Sequence, residues 1–187
     1  LTYSEDQTHA NWTKRNVTTS SASEIAGLVE TRLTSNSTAN VAHSVFQNKT
    51  STGAATWAAS AFCEPDNFHY GYISLTDGTT GDYYRLIFDI LDETIESAVT
   101  NGTSITLVAD SAFVHQTKWS NRAGLVFDLA ASTSGNTISV DYGFTNSATS
   151  ILSSASTSSE SLGYLGGLQL EQGTDFKIGR ASCRESV

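Results

Sequence analysis

NFHYGYISLTDGTTGDYYRLIFDI, residues 67–90, decides how the chain is read. It reads as strand, turn, strand. On the first arm Ile73 and Leu75 alternate with Tyr70, Tyr72 and Ser74; on the second, Tyr84, Leu86, Phe88 and Ile90 alternate with Tyr83, Arg85 and Asp89. Successive side chains of a strand point to opposite faces, so each arm carries one apolar face and one polar, aromatic-studded face. Asp77-Gly78 and Gly81-Asp82 supply the turn between them. The stretch therefore predicts an antiparallel hairpin with its apolar side on a core. Its tyrosines either meet a ligand or merely cover the sheet.

Working outward, 187 residues suit one domain with a substantial core. Lys and Arg number 10 against 19 Asp and Glu, a net charge of −9, which argues against a nucleic-acid backbone as partner. An acidic, hydroxyl-rich surface suits a protein that meets neutral polymers or cations. No apolar run is long enough to span a bilayer, so no membrane insertion is expected. No charged-then-apolar leader follows Leu1, which carries little weight in a chain starting at leucine. Cys63 and Cys183 could pair only if distant parts of the chain met, so no disulfide framework is indicated.

Residues 178–187, IGRASCRESV, break with the Ser/Thr-rich composition before them and look like a translated sequencing-library adapter. The expected organisation is one domain over residues 1–177 and a non-native tail. Without Arg180, Arg184 and Glu185 the chain holds 8 basic and 18 acidic residues, net −10, so the charge argument stands.

In chain order, residues 2–6 and 12–18 lean towards strand. Residues 24–34, EIAGLVETRLT, fit a helix or a strand from Leu28, with Gly27 and two threonines weakening the helix. Strands are expected at 41–48 and at 56–63, where Trp57, Ala59 and Ala61 oppose Ala58, Ser60 and Phe62. Residues 93–99 are ambiguous, 104–109 read as strand, and 118–122 (KWSNR) as a polar corner. Residues 124–130 and 138–144 alternate cleanly. Residues 147–161 read as a loop without periodicity, and 162–176 as a last strand with Leu168 and Leu170 on one side. Many short strands at regular spacing without a convincing helix predict an all-β domain of two antiparallel sheets.

The segments TYSED (residues 2–6), WTKRNVT (12–18) and GLQLEQG (167–173) resemble those of carbohydrate-binding-module-like jelly-roll domains of phage tail fibres and other virion proteins. HSVFQ (43–47), STG (51–53), TDG (76–78), FDI (88–90) and the W-x-x-R of Trp119 and Arg122 fall in that family's order. The aromatic that usually precedes the closing segment is replaced by Gly166, and Ser120 and Asn121 separate the corner's tryptophan and arginine. The resemblance implies a concanavalin-like jelly-roll β-sandwich and a non-catalytic role in attaching a virion to host or environmental glycans. It also implies an extracellular setting and a fibre context in which homotrimers are common. Structural calcium near the adjoining termini is a further implication, with Glu5, Asp6 and Glu171 as carboxylates in the resembling segments; calcium's six to eight oxygens would need carbonyls or water besides.

Sugars are held by aromatic rings against their apolar faces and by planar hydrogen-bonding groups on their hydroxyls. By strand parity Phe62, Tyr70, Tyr72, Tyr83 and Arg85 face outward on neighbouring strands, with Trp119 and Arg122 at a loop end. If the faces coincide they form an aromatic platform with a guanidinium fork. Alternatively, Trp119 and Arg122 pin the corner.

Two other classes compete. A polysaccharide lyase or glycoside hydrolase needs a base beside a cation, as in His69, Tyr72 and Arg85, or two carboxylates across a cleft, as in Asp89 with Asp128 or Asp141. His9, His43 and His115 are too scattered for a zinc site. A purely structural virion domain needs neither. Sequons at Asn11, Asn16, Asn36, Asn48 and Asn101 suit a glycosylated secreted protein but arise readily by chance in this composition.

Overall fold

The computed structural model describes residues 7–25, 28–116 and 121–174. Within them the chain is an all-β sandwich of two antiparallel sheets, as its alternation predicts. One sheet runs β1 (Thr13–Arg15), β4 (Val41–Thr50), β12 (Thr137–Thr145), β6 (Tyr70–Asp77), β7 (Tyr83–Asp89) and β8 (Thr94–Asn101), with β13 (Leu152–Ser153) beside β4. The other runs β10 (Phe113–Gln116), β11 (Asn121–Leu129), β5 (Ala55–Pro65), β14 (Ser161–Gln172), β3 (Leu28–Ser35) and β2 (Val17–Ile25), with β9 (Ile105–Leu107) beside β11. The chain crosses between layers at β1–β2, β3–β4, β4–β5, β5–β6, β8–β9, β11–β12 and β13–β14.

The stretch from residue 67 to 90 forms the β6–β7 hairpin, Ile73 paired with Leu86 and Leu75 with Tyr84. Asp77 Oδ1 accepts the Thr79 and Thr80 N–H groups at 2.8 and 3.3 Å, and Gly81 takes φ +78°, where a Cβ would be strained. Those hydrogen bonds, joined by one from Asn136, outweigh the opposing effect of burial and hold the Asp77 carboxyl below its usual range. The hairpin's apolar face meets Trp57, Ala59, Ala61, Leu125 and Phe127 of the second sheet in one continuous core. Tyr142 crosses this core, its hydroxyl donating to the Gln169 carbonyl at 2.5 Å. That carbonyl belongs to an irregularity of β14 between Gly166 and Gln169, where Gly167 has φ +52°.

Residues 24–34 contribute strands, the alternative to a helix there, and 94–101 is a strand as well. The stretch 147–161 corrects the sequence reading, since it contains β13 and buries Ile151. Residues 2–6, most of the 118–122 corner and the 178–187 tail lie outside the described residues. Cys63 is a buried free thiol.

Candidate functional site

Six of the seven residues expected to form a platform divide between the two sheets. Tyr70, Tyr72, Tyr83 and Arg85 belong to β6 and β7 of the first sheet; Phe62 and Arg122 belong to β5 and β11 of the second, with the core between them. Arg122 lies within a strand rather than at a corner, paired with Phe62 and His115. Trp119 lies outside the described residues.

On the first sheet, outward parity is correct for Tyr72 but exposure is not: it is 1% exposed, packed with Ala42, Ile87 and Ile151, and Tyr70 packs against the same cluster. The segment around β13 lies on this face, and its apolar Ile151 seals it. The Tyr72 hydroxyl donates to the His43 carbonyl, and burial raises its pKa. Arg85 stacks on Tyr83 at 3.8 Å, both half-buried. Arg15 lies 4.6 Å from the Phe46 ring centre and 2.8 Å from Asp141. Burial raises the Asp141 pKa, while Arg15, Ser44 and Ser139 oppose the rise. Asp89 accepts the Leu91 and Asp92 N–H groups. Asp128, on the other sheet, accepts from the Thr56 hydroxyl. Asp89 and Asp141 thus belong to one sheet and Asp128 to the other.

The outward face of the second sheet holds the more coherent arrangement. Phe62 and Arg122 are register partners, with the guanidinium carbon 5.4 Å from the ring centre. Nη2 of Arg122 donates to Ser60 Oγ at 3.1 Å and to Gln169 Oε1 at 3.0 Å, and Ser60 donates to the same Gln169 oxygen at 3.2 Å. Burial lowers the Arg122 pKa and the charge of Glu171 opposes this, leaving a fixed, half-buried cation. Beyond Arg122, Phe113 and His115 stack with centroids 5.3 Å apart. Phe113 lies over Gly124, where a Cβ would stand 2.8 Å from the ring.

On the other side of Phe62 the face opens into a groove of about 460 Å³ lined by Ser20, Ser21, Ala22, Glu30, Arg32, Glu64 and Tyr164. Its floor follows from register: Tyr164 lies between its partners Arg32 and Glu64, and Gly166 offers no side chain beside Phe62. Glu30 is only 7% exposed, and burial, aided by the nearby Glu64, pushes its carboxyl up to about 7.

Of this face the sequence reading named only Phe62, Arg122 and Glu171. Ser60 and Glu64 share parity with Phe62, and Gln169 with Glu171, which is the signal that could have found them; Tyr164 lies across the Gly166/Gln169 irregularity, which breaks parity along β14. The calcium set is reduced, among described residues, to Glu171, whose charge couples to Arg122. The two other carboxylates of that set, Glu5 and Asp6, lie outside the described residues. No cluster of three or more His, Cys, Asp or Glu side chains suited to a metal occurs among the described residues. A scan against protein-family models and a search among curated proteins each return no match for this chain.

Proposed function

We propose that this domain is a non-catalytic carbohydrate-binding domain of a phage tail fibre or other virion protein, binding glycans on the outward face of its second sheet. One observation carries the placement: Arg122 is stacked beside Phe62 and fixed by Ser60 and Gln169 on an open face that continues into the groove. A half-buried ring offers an apolar surface to a sugar face, and a pre-oriented guanidinium and amide offer donors and acceptors to its hydroxyls. The acidic, hydroxyl-rich composition and the ordered resemblance to virion jelly rolls support the biological setting. In that setting the domain faces outside the cell on a fibre, a context that favours trimers.

A glycan array probed with the chain lacking residues 178–187 tests the reading. Binding that falls with Phe62→Ala and with Arg122→Ala supports it. An array without binding, or release of soluble products from a polysaccharide panel, overturns it.

A further inference from the structure

We propose that the groove between β2, β3, β14 and β5 binds a primary ammonium group between Glu30 and Glu64, and that its ligand is a glycan containing hexosamine with a free amine. The inference rests on the carbohydrate reading and assigns a substrate class to the same face.

Glu30 is more than nine-tenths buried yet lines the groove. Among the described residues no group donates a hydrogen bond to its carboxylate. Its carboxylate is not among the fully enclosed unpaired groups, so the unpartnered oxygens reach the groove surface while the rest of the side chain is buried. Glu64, on the far side of Tyr164 from β3, adds a second negative charge. The other charged neighbour, Arg32, also lines the groove, but its guanidinium is engaged: its Nε donates to Ser161 Oγ at 2.7 Å and its Nη2 lies 4.0 Å from Asp66. From β2 the lining is uncharged, with Ser20, Ser21 and Ala22. Burial, and then the charge of Glu64, raise the Glu30 carboxyl to about 7, and a cation beside it would oppose that rise and favour the carboxylate.

The type of cation follows from the donor set. A divalent ion such as calcium seeks six to eight oxygens, and the groove supplies two carboxylates. An ammonium group brings three N–H donors of its own and needs only acceptors around it. Tyr164, half-buried between the two acidic strands, gives the rest of a sugar ring a surface to lie on. N-acetylation would remove both the charge and two of the donors.

The test is calorimetric titration of the full chain at neutral pH with the β-1,4-linked tetramer of glucosamine and with its fully N-acetylated counterpart. The free-amine tetramer is expected to bind more tightly by at least about tenfold, the scale of one charge-assisted hydrogen bond. Glu30→Gln, nearly isosteric, and Glu64→Gln should each erase that preference. Asp110→Asn, which removes an exposed carboxylate elsewhere, should retain it. Circular dichroism melting shows whether each variant is folded. Equal affinity for the two tetramers, with binding still lost in Phe62→Ala, overturns the amine assignment and leaves the carbohydrate reading standing. Failure of both tetramers and of the whole array overturns both. Competition by N-α-acetyl-lysine amide as effective as by the free-amine tetramer overturns the sugar in favour of a lysine-bearing protein.

Discussion

The hydroxyl of Tyr142, on the first sheet, donates to the main-chain carbonyl of Gln169, on the second, while the Gln169 side chain on the opposite surface accepts from Arg122. One residue thus joins the interlayer contact to the candidate binding face. Tyr142→Phe removes the donor and leaves that carbonyl short of a partner in the core. We expect a loss of about 1–3 kcal/mol in stability by denaturant titration, with weaker glycan binding because the Gln169 segment loses its tie.

Glu30 makes stability depend on pH in a defined direction. Its carboxyl titrates near 7 in the fold against 4.5 ordinarily, so the native state holds its proton more tightly than the unfolded chain. The group favours the fold most below about pH 4.5, and that benefit is lost as pH rises through 7. Glu30→Gln, neutral throughout, should match or fall below the native chain near pH 4 and exceed it near pH 8, by on the order of 2 kcal/mol. Urea midpoints at the two pH values measure this, and a constant difference would contradict it.

Arg15 is the cation beside a buried carboxylate. Asp141 is 3% exposed at its side chain and accepts from Ser44 and Ser139, whereas Arg15 is 40% exposed. Solvent screening makes the ion pair itself modest, but removing Arg15 leaves a buried charge less compensated. Arg15→Ala should cost about 1–3 kcal/mol near neutral pH. Because burial already raises the Asp141 pKa and Arg15 opposes the rise, the cost should shrink in acid as Asp141 takes up its proton.

Gly143 is required by close approach. A Cβ there would collide with the His43 carbonyl and stand 2.7 Å from the Tyr72 ring, which is itself pinned beneath Ile151. Neither neighbour has room to retreat, so Gly143→Ala should lower stability by about 1–3 kcal/mol or more. Thermal unfolding followed by circular dichroism reads the effect.

The two outer surfaces should behave differently towards sugars. Tyr83→Ala and Arg85→Ala alter the first sheet and should leave glycan affinity within about twofold. Phe62→Ala and Arg122→Ala alter the second and should each weaken it by about tenfold or more, on the scale of a stacked ring or a charge-assisted hydrogen bond. Surface plasmon resonance on an array-selected glycan distinguishes these cases.

Period-two alternation made the β6–β7 hairpin legible, and also the faces of Trp57, Ala59 and Ala61 against Ser60 and Phe62, because burial on one side of a strand leaves that trace. Parity tells which side of its own strand a residue occupies, not which sheet the strand joins. Parity alone therefore groups Phe62 with Tyr70, although a whole core separates their sheets. The burial of Tyr72 is not legible for another reason: Ile151, which covers it, comes from a Ser/Thr-rich stretch whose two-residue strand is too short to show a period. The groove went unseen because Glu30 and Glu64 come together only through the register of β3 and β5 on β14. Gly166-Gly167 was the one local hint, since paired glycines within a strand signal a break in its regularity.

The order β11-β5-β14-β3-β2 also fixes a length scale. Four inter-strand steps separate Arg122's strand from the one carrying Ser20, roughly 19 Å at ordinary sheet spacing. A ligand that reaches both the Phe62–Arg122 pair and the far wall of the groove must cross the strands rather than follow them. If that ligand is the proposed glycan, it must also be several rings long, and affinity is expected to rise with chain length, since a monosaccharide would occupy only one end at a time.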